Sequence, residues 1–71
     1  MDYEIIKKAG IFAEGTGSVK ALCLVRWGKN EKYDIREWAG DFEKPYKGIT
    51  ATRSELVKLR DLINKELGEG Y

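Results

Sequence analysis

The 71-residue chain has no histidine, one cysteine (Cys23) and one proline (Pro45). Without histidine it lacks the side chain that most often serves as a general base near neutral pH. With one cysteine it can assemble neither an internal disulfide nor a zinc site of the usual kinds. No apolar run approaches the roughly 20 residues that span a bilayer, so a membrane is not an expected partner. Basic residues are not in excess: 13 Lys and Arg stand against 12 Asp and Glu, a formal net charge of +1. The broad positive field of many nucleic-acid binders is therefore missing. Met1-Asp2-Tyr3-Glu4 carries no basic region ahead of an apolar core, so no signal peptide is expected. A lone free thiol without an export signal points to the cytoplasm.

What is present is the composition of a folded domain, 42% hydrophobic and 35% charged, which disfavours disorder. The length allows one domain, residues 1–71. A chain this short buries only about 60% of its unfolded surface and usually needs a staple or a partner subunit. The staples are missing, so a homodimer is expected. The small basic surplus lies in the middle: residues 18–50 carry seven basic and five acidic side chains.

Turn signals at Gly15-Thr16-Gly17, Gly28-Lys29-Asn30 and Gly40-Asp41 divide the first fifty residues into strand-length pieces. Tyr3–Ala13 reads as a strand in which Gly10 marks a bulge. Val19–Trp27 is the most apolar strand. Lys32–Trp38 alternates, with Tyr33, Ile35 and Glu37 on one face and Lys32, Asp34, Arg36 and Trp38 on the other. Glu43–Thr50 is a weaker strand, and Pro45 puts its start at an edge or in a loop. Thr52 and Glu55 then form a capping box, Leu56, Leu59, Leu62, Ile63 and Leu67 recur at helical spacing, and Gly68 ends the helix. The predicted fold is α+β: a four-stranded antiparallel sheet and one C-terminal helix that covers one sheet face. The other face must meet water, a partner or a ligand.

Catalytic chemistry has little to build on. Cys23 sits in the most apolar strand, where a thiol is inert. Gly15-Thr16-Gly17-Ser18 lacks the later glycine of a dinucleotide loop and precedes a strand, so it reads as a hairpin turn. Asp34 with Glu37, or Asp41 with Glu43, read as solvated or salt-bridged carboxylates. No nucleophile–base pair or metal-ligand set emerges, so neither an enzyme nor a cofactor is expected. The aromatic and basic residues offer more. Trp27 ends the second strand, Trp38 shares the Arg36 face of the third, and Lys20, Lys29, Lys32, Lys44 and Lys47 lie on or near the same strands. Flat aromatics under bases and cations along phosphates are what single-stranded nucleic acid requires. Tryptophans in a core or a dimer interface, and lysines in solvent, would give the same pattern.

The run Tyr33-Asp34-Ile35-Arg36-Glu37-Trp38, then Lys47-Gly48-Ile49-Thr50, then a capped helix, resembles the core signature of the positive cofactor four family of single-stranded-DNA-binding transcriptional coactivators, in its compact bacterial form. The likeness covers roughly residues 18–67. Ala39 departs from it, because many members carry a second aromatic there, and Tyr46 stands where a basic residue is common.

The resemblance implies a homodimer of strongly curved sheets, with concave faces toward single strands and the helices forming the dimer interface through Leu56, Leu59, Ile63 and Leu67. It implies largely sequence-independent binding of single-stranded DNA through Lys20, Trp27, Arg36, Trp38, Lys44 and Lys47; Lys29, beside Trp27 in the turn, joins them by position, and whether RNA is a further ligand stays open. The expected settings are transcription regulation, replication or repair, near the nucleoid and the transcription machinery. Lys20 and Trp27 have opposite parity, so both can face one ligand only across a bulge or a strong twist. The alternative is a protein-interaction module that docks a partner, such as an RNA polymerase component, on the open sheet face with the tryptophans as anchors.

Overall fold

A computed structural model describes residues 3–68; the expectation about the N-terminus involves Met1 and Asp2, which lie outside that range. The elements are β1 (Tyr3–Gly15), β2 (Ser18–Trp27), β3 (Asn30–Ala39), β4 (Lys44–Ala51) and α1 (Arg53–Leu67). The strands pair antiparallel in sequence order as one four-stranded sheet. The α+β expectation holds, and the strand boundaries fall within two residues of the predicted ones.

The middle of the sheet is regular. β2 and β3 pair without a register shift from Ser18↔Ala39 to Trp27↔Asn30, so side chains along each keep a strict two-face alternation. Their two-residue turn has Gly28 at φ 56, a conformation that glycine adopts at little cost. The outer strands are irregular. β1 shifts register between Ile5 and Lys7, between Lys8 and Gly10, and between Ile11 and Ala13. Each shift adds one β1 residue, Ile6, Ala9 and Phe12 in turn. β4 adds one residue against β3 between Gly48 and Pro45. Bulges bend a strand and raise its twist, so the irregular edge strands curl the sheet. Gly48 is required at that bend: a Cβ there would lie 2.5 Å from the Ile35 carbonyl oxygen and 2.6 Å from the Arg36 Cβ.

The curl closes the concave face on itself. Tyr3 pairs with Trp27, whereas Trp38 pairs with Val19. In a flat sheet positions 19 and 27 of β2 would be about 26 Å apart, at roughly 3.3 Å per residue. The Tyr3 and Trp38 rings nevertheless meet with centroids 6.1 Å apart. Beneath them Ala21, Cys23 and Val25 are fully buried, with Ile5, Val19 and Phe42 packed around. Small side chains fill this floor because a concave surface leaves each residue little room.

The helix lies on the opposite, convex face. Its capping box is complete: the Glu55 amide donates to Thr52 Oγ1 (3.2 Å), and the Thr52 amide donates to Glu55 Oε1 (2.8 Å). The Gly68 amide donates to the Asn64 carbonyl (2.8 Å) with Gly68 at φ 85. The expected coverage of a sheet face is only partial, however. Among the strands the α1 backbone approaches only β3 and β4, and no helix residue is buried. Between helix and sheet runs an apolar cleft of about 770 Å³. No described helix is long and apolar enough to cross a membrane.

Candidate nucleic-acid interface

β2 and β3 place the aromatic and basic candidates by simple alternation. Trp27, at the end of β2, is on the concave side with Val25 and Cys23, and Arg36 and Trp38 are on the same side of β3. The aromatic rings form a line. Tyr3 meets Trp27 edge-on at 4.6 Å and 60°, continues to Trp38, and Trp38 meets Phe42 at 5.5 Å. Lys8 Nζ sits 4.1 Å from the centre of the Phe42 ring, within the range of a favourable cation–π contact. Phe42 holds this place in the β3–β4 loop with φ 61, a left-handed conformation uncommon for a bulky side chain.

The two tryptophans are not equivalent. Trp27 is 38% exposed and Trp38 only 2%. The resemblance implies a place for Trp38 on the binding surface; its ring instead lies between Tyr3 and Phe42 and offers no open stacking face. Trp27 is the tryptophan that keeps a ring surface open to solvent.

Arg36 is held in place by Asp34, the one fully buried charged residue described. Arg36 Nε donates to both Asp34 carboxylate oxygens (3.1 and 3.0 Å), Nη2 donates to Oδ1 (2.9 Å), and Nη1 donates to the Tyr46 carbonyl (2.8 Å). The Asp34 hydrogen bonds raise the Arg36 pKa against the opposing effect of burial, so the guanidinium stays charged. Of its five N–H groups, two have no partner among the described residues, and its side chain is 18% exposed. Arg36 is first a structural tie, to Asp34 within β3 and to the Tyr46 carbonyl on β4, and only then a positive charge at the surface. Burial and the nearby Asp34 charge push the Tyr3 phenol up to about 12, and burial, then Asp34, pushes the Cys23 thiol up. Both therefore stay protonated at neutral pH.

The lysines are scattered. Lys29 lies in the turn beside Trp27, and Lys44 and Lys47 lie on the edge strand β4, all exposed. Lys20 pairs with Glu37 and shares a face with Leu22 and Leu24, which puts it on the convex side. No bulge in β2 brings Lys20 round to Trp27. None of these lysines makes an ion pair among the described residues.

The helix residues expected at a dimer interface are available. Leu56, Leu59 and Ile63 line the cleft with Leu22, Ile35 and Ile49, and Leu67 lies beyond it, exposed.

No protein-family model matches the chain. An uncharacterized protein of Treponema pallidum is 45% identical to it over 64 residues, a match that takes in 87% of this chain and 75% of that protein. The chain belongs to that protein's family. The family tie therefore extends over nearly the whole domain, sheet and helix together.

Three residues of this region escape a sequence reading: Tyr3, Lys8 and Phe42. All lie outside the alternating strands β2 and β3, in bulged β1 or in the β3–β4 loop. The available signal is aromatic content at the chain's start and in the loop, which does not by itself say that these rings converge.

Proposed function

We propose that this protein is a homodimeric, non-enzymatic binder of single-stranded nucleic acid, DNA first and RNA second, largely indifferent to sequence. It would hold unpaired strands during transcription regulation, replication or repair, in the nucleoid. One observation carries the reading: Trp27 keeps its ring partly open to solvent while Tyr3 supports it, on the same sheet side as Arg36 and next to Lys29. A flat open ring beside cations suits a base over its phosphate. The apolar cleft, with a helix that buries none of its own residues, supports a second copy of the chain on the convex side. Two linked sites would gain from effective concentration, which offsets the small charge on each chain.

The experiment is a titration with 20-nucleotide oligo-dT and with a matched duplex, followed by fluorescence anisotropy at two salt concentrations. Single-strand binding that weakens with salt, exceeds duplex binding and drops about 5- to 150-fold in Trp27→Ala (roughly 1–3 kcal/mol for one stacked base) is expected. Equal affinity of a folded Trp27→Ala variant would reject the site, and no binding to either oligonucleotide would reject the function. The near-zero net charge favours one rival, a sheet face that docks a protein partner; it predicts that second result.

A further inference from the structure

The two cross-strand neighbours of Trp27 are Tyr3 on β1 and Asn30 on β3. Asn30 has no ring, so the aromatic support of Trp27 comes from Tyr3, edge-on at 4.6 Å. Trp27 sits at the very end of β2, where no further strand residue packs beyond it. A partly exposed indole at such an end would sample several rotamers, and each binding event would then cost the freedom it loses. Tyr3 removes that freedom in advance. Its ring is in turn held by Trp38, which is almost fully buried between it and Phe42. A continuous line of contacts thus runs from the buried concave core to the partly exposed Trp27 ring.

Tyr3 has a second feature. Its hydroxyl is buried and has no hydrogen-bond partner among the described residues, and it lies close enough to Asp34 and Arg36 to feel both charges. A buried hydroxyl without a partner contributes nothing favourable of its own. The value of the residue at this position is therefore its ring. Tyr3 also lies outside the segment that carries the family resemblance, so nothing in that likeness assigns it a role.

We propose that Tyr3 is the positioning residue of the single-strand site: its ring fixes the Trp27 indole in the orientation that stacks on a base. The inference rests on the single-strand reading above. Its test separates the two. In a Trp38→Phe background Trp27 is the only tryptophan, and its time-resolved fluorescence anisotropy reports how firmly the ring is held, without any ligand. Tyr3→Phe, which keeps the ring, is expected to leave both the anisotropy and the oligo-dT affinity within about twofold of the parent. Tyr3→Leu, with far-UV circular dichroism unchanged, is expected to add a fast, large-amplitude motion of Trp27 and to lower oligo-dT affinity about 5- to 10-fold. If Tyr3→Leu does not fold, Tyr3→Met takes its place, because a thioether fills the space without a ring. A folded ringless variant with an immobile Trp27, or with a mobile Trp27 and parental affinity, overturns the proposal. So does a Tyr3→Phe variant that loses as much affinity as the ringless one. If the parent itself ignores oligo-dT, the single-strand reading fails and the role of Tyr3 in it falls too, while the anisotropy still measures what Tyr3 does to Trp27.

Discussion

The two faces of this sheet bury their residues in opposite ways. On the concave side the floor is made of small side chains, Ala21, Cys23 and Val25, and all are fully buried, although among the described residues no helix or second sheet lies over them. On the convex side the residues are larger, Leu22, Tyr33, Ile35 and Ile49, and a helix does lie over them, yet a cleft remains and Ile63 is still 47% exposed. Residue size alone does not decide burial here. Curvature does. Bending brings the side chains of the inner face together until Tyr3 and Trp38 meet, and spreads those of the outer face apart. The concave side is thus complete within one chain, and the convex side is left with apolar surface that one fifteen-residue helix does not cover.

The largest expected effect lies on the complete side. Trp38→Ala removes the ring that joins Tyr3 to Phe42, and truncating a buried tryptophan costs about 3–5 kcal/mol. Set against roughly 4–11 kcal/mol for a domain of this length, that is a large share of the total. Urea denaturation measures it, and a loss below about 1 kcal/mol would mean that the aromatic roof is not what closes the core.

The next effect sharpens the contrast. Ile63→Ala would cost little on an open convex face. With a second chain seated in the cleft it is expected to cost about 2–5 kcal/mol, and the thermal midpoint of the parent should rise with protein concentration. A cost below about 1 kcal/mol together with a midpoint independent of concentration would refute a dimer formed through the helices.

A smaller change tests the helix itself. Thr52→Ala removes one half of the capping box and should lower stability by about 1 kcal/mol, read from the same urea curve. An unchanged midpoint would show that packing at the cleft, rather than the cap, sets where α1 begins.

The smallest effect at neutral pH belongs to the buried protons. The folded state raises the Tyr3 pKa from 10.0 to about 12. Between those values the native chain holds more protons than the unfolded chain, so stability is fully present below pH 10 and falls as pH rises toward 12. Tyr3→Phe should match the parent at pH 7 and show a flatter decline across that window. Identical slopes in stability against pH would rule out Tyr3 as their source.

Much of the fold is legible in the residues themselves. The β3 strand alternates in sequence and pairs with β2 without a register shift, and that alternation correctly puts Arg36 and Trp38 on one face and Tyr33 and Ile35 on the other. The capping box needs only Thr52 and Glu55 at the right spacing, and it is there. Gly48 beside a bend and a bulge next to Gly10, with Ala9 as its extra residue, are also legible. The β1 strand is harder to read. Extra residues at Ile6, Ala9 and Phe12 reset its alternation every third position, so no period of two survives in the sequence. Parity also raises the problem of Lys20, and the unbroken β2 register answers it by leaving Lys20 on the convex side.

By itself, then, the sequence determined what is local: the order of elements, the turns, the helix cap, and which residues of β2 and β3 share a face. Those features depend on contacts within a few residues or on a simple alternation. Only the tertiary structure decided which tryptophan stays open. Trp27 and Trp38 both fall on the concave side, yet one is at the surface and the other is sealed. What separates them is a bend accumulated over two strands, which brings Tyr3 to Trp38 from about 26 Å away along a flat sheet. No short window of residues contains that sum.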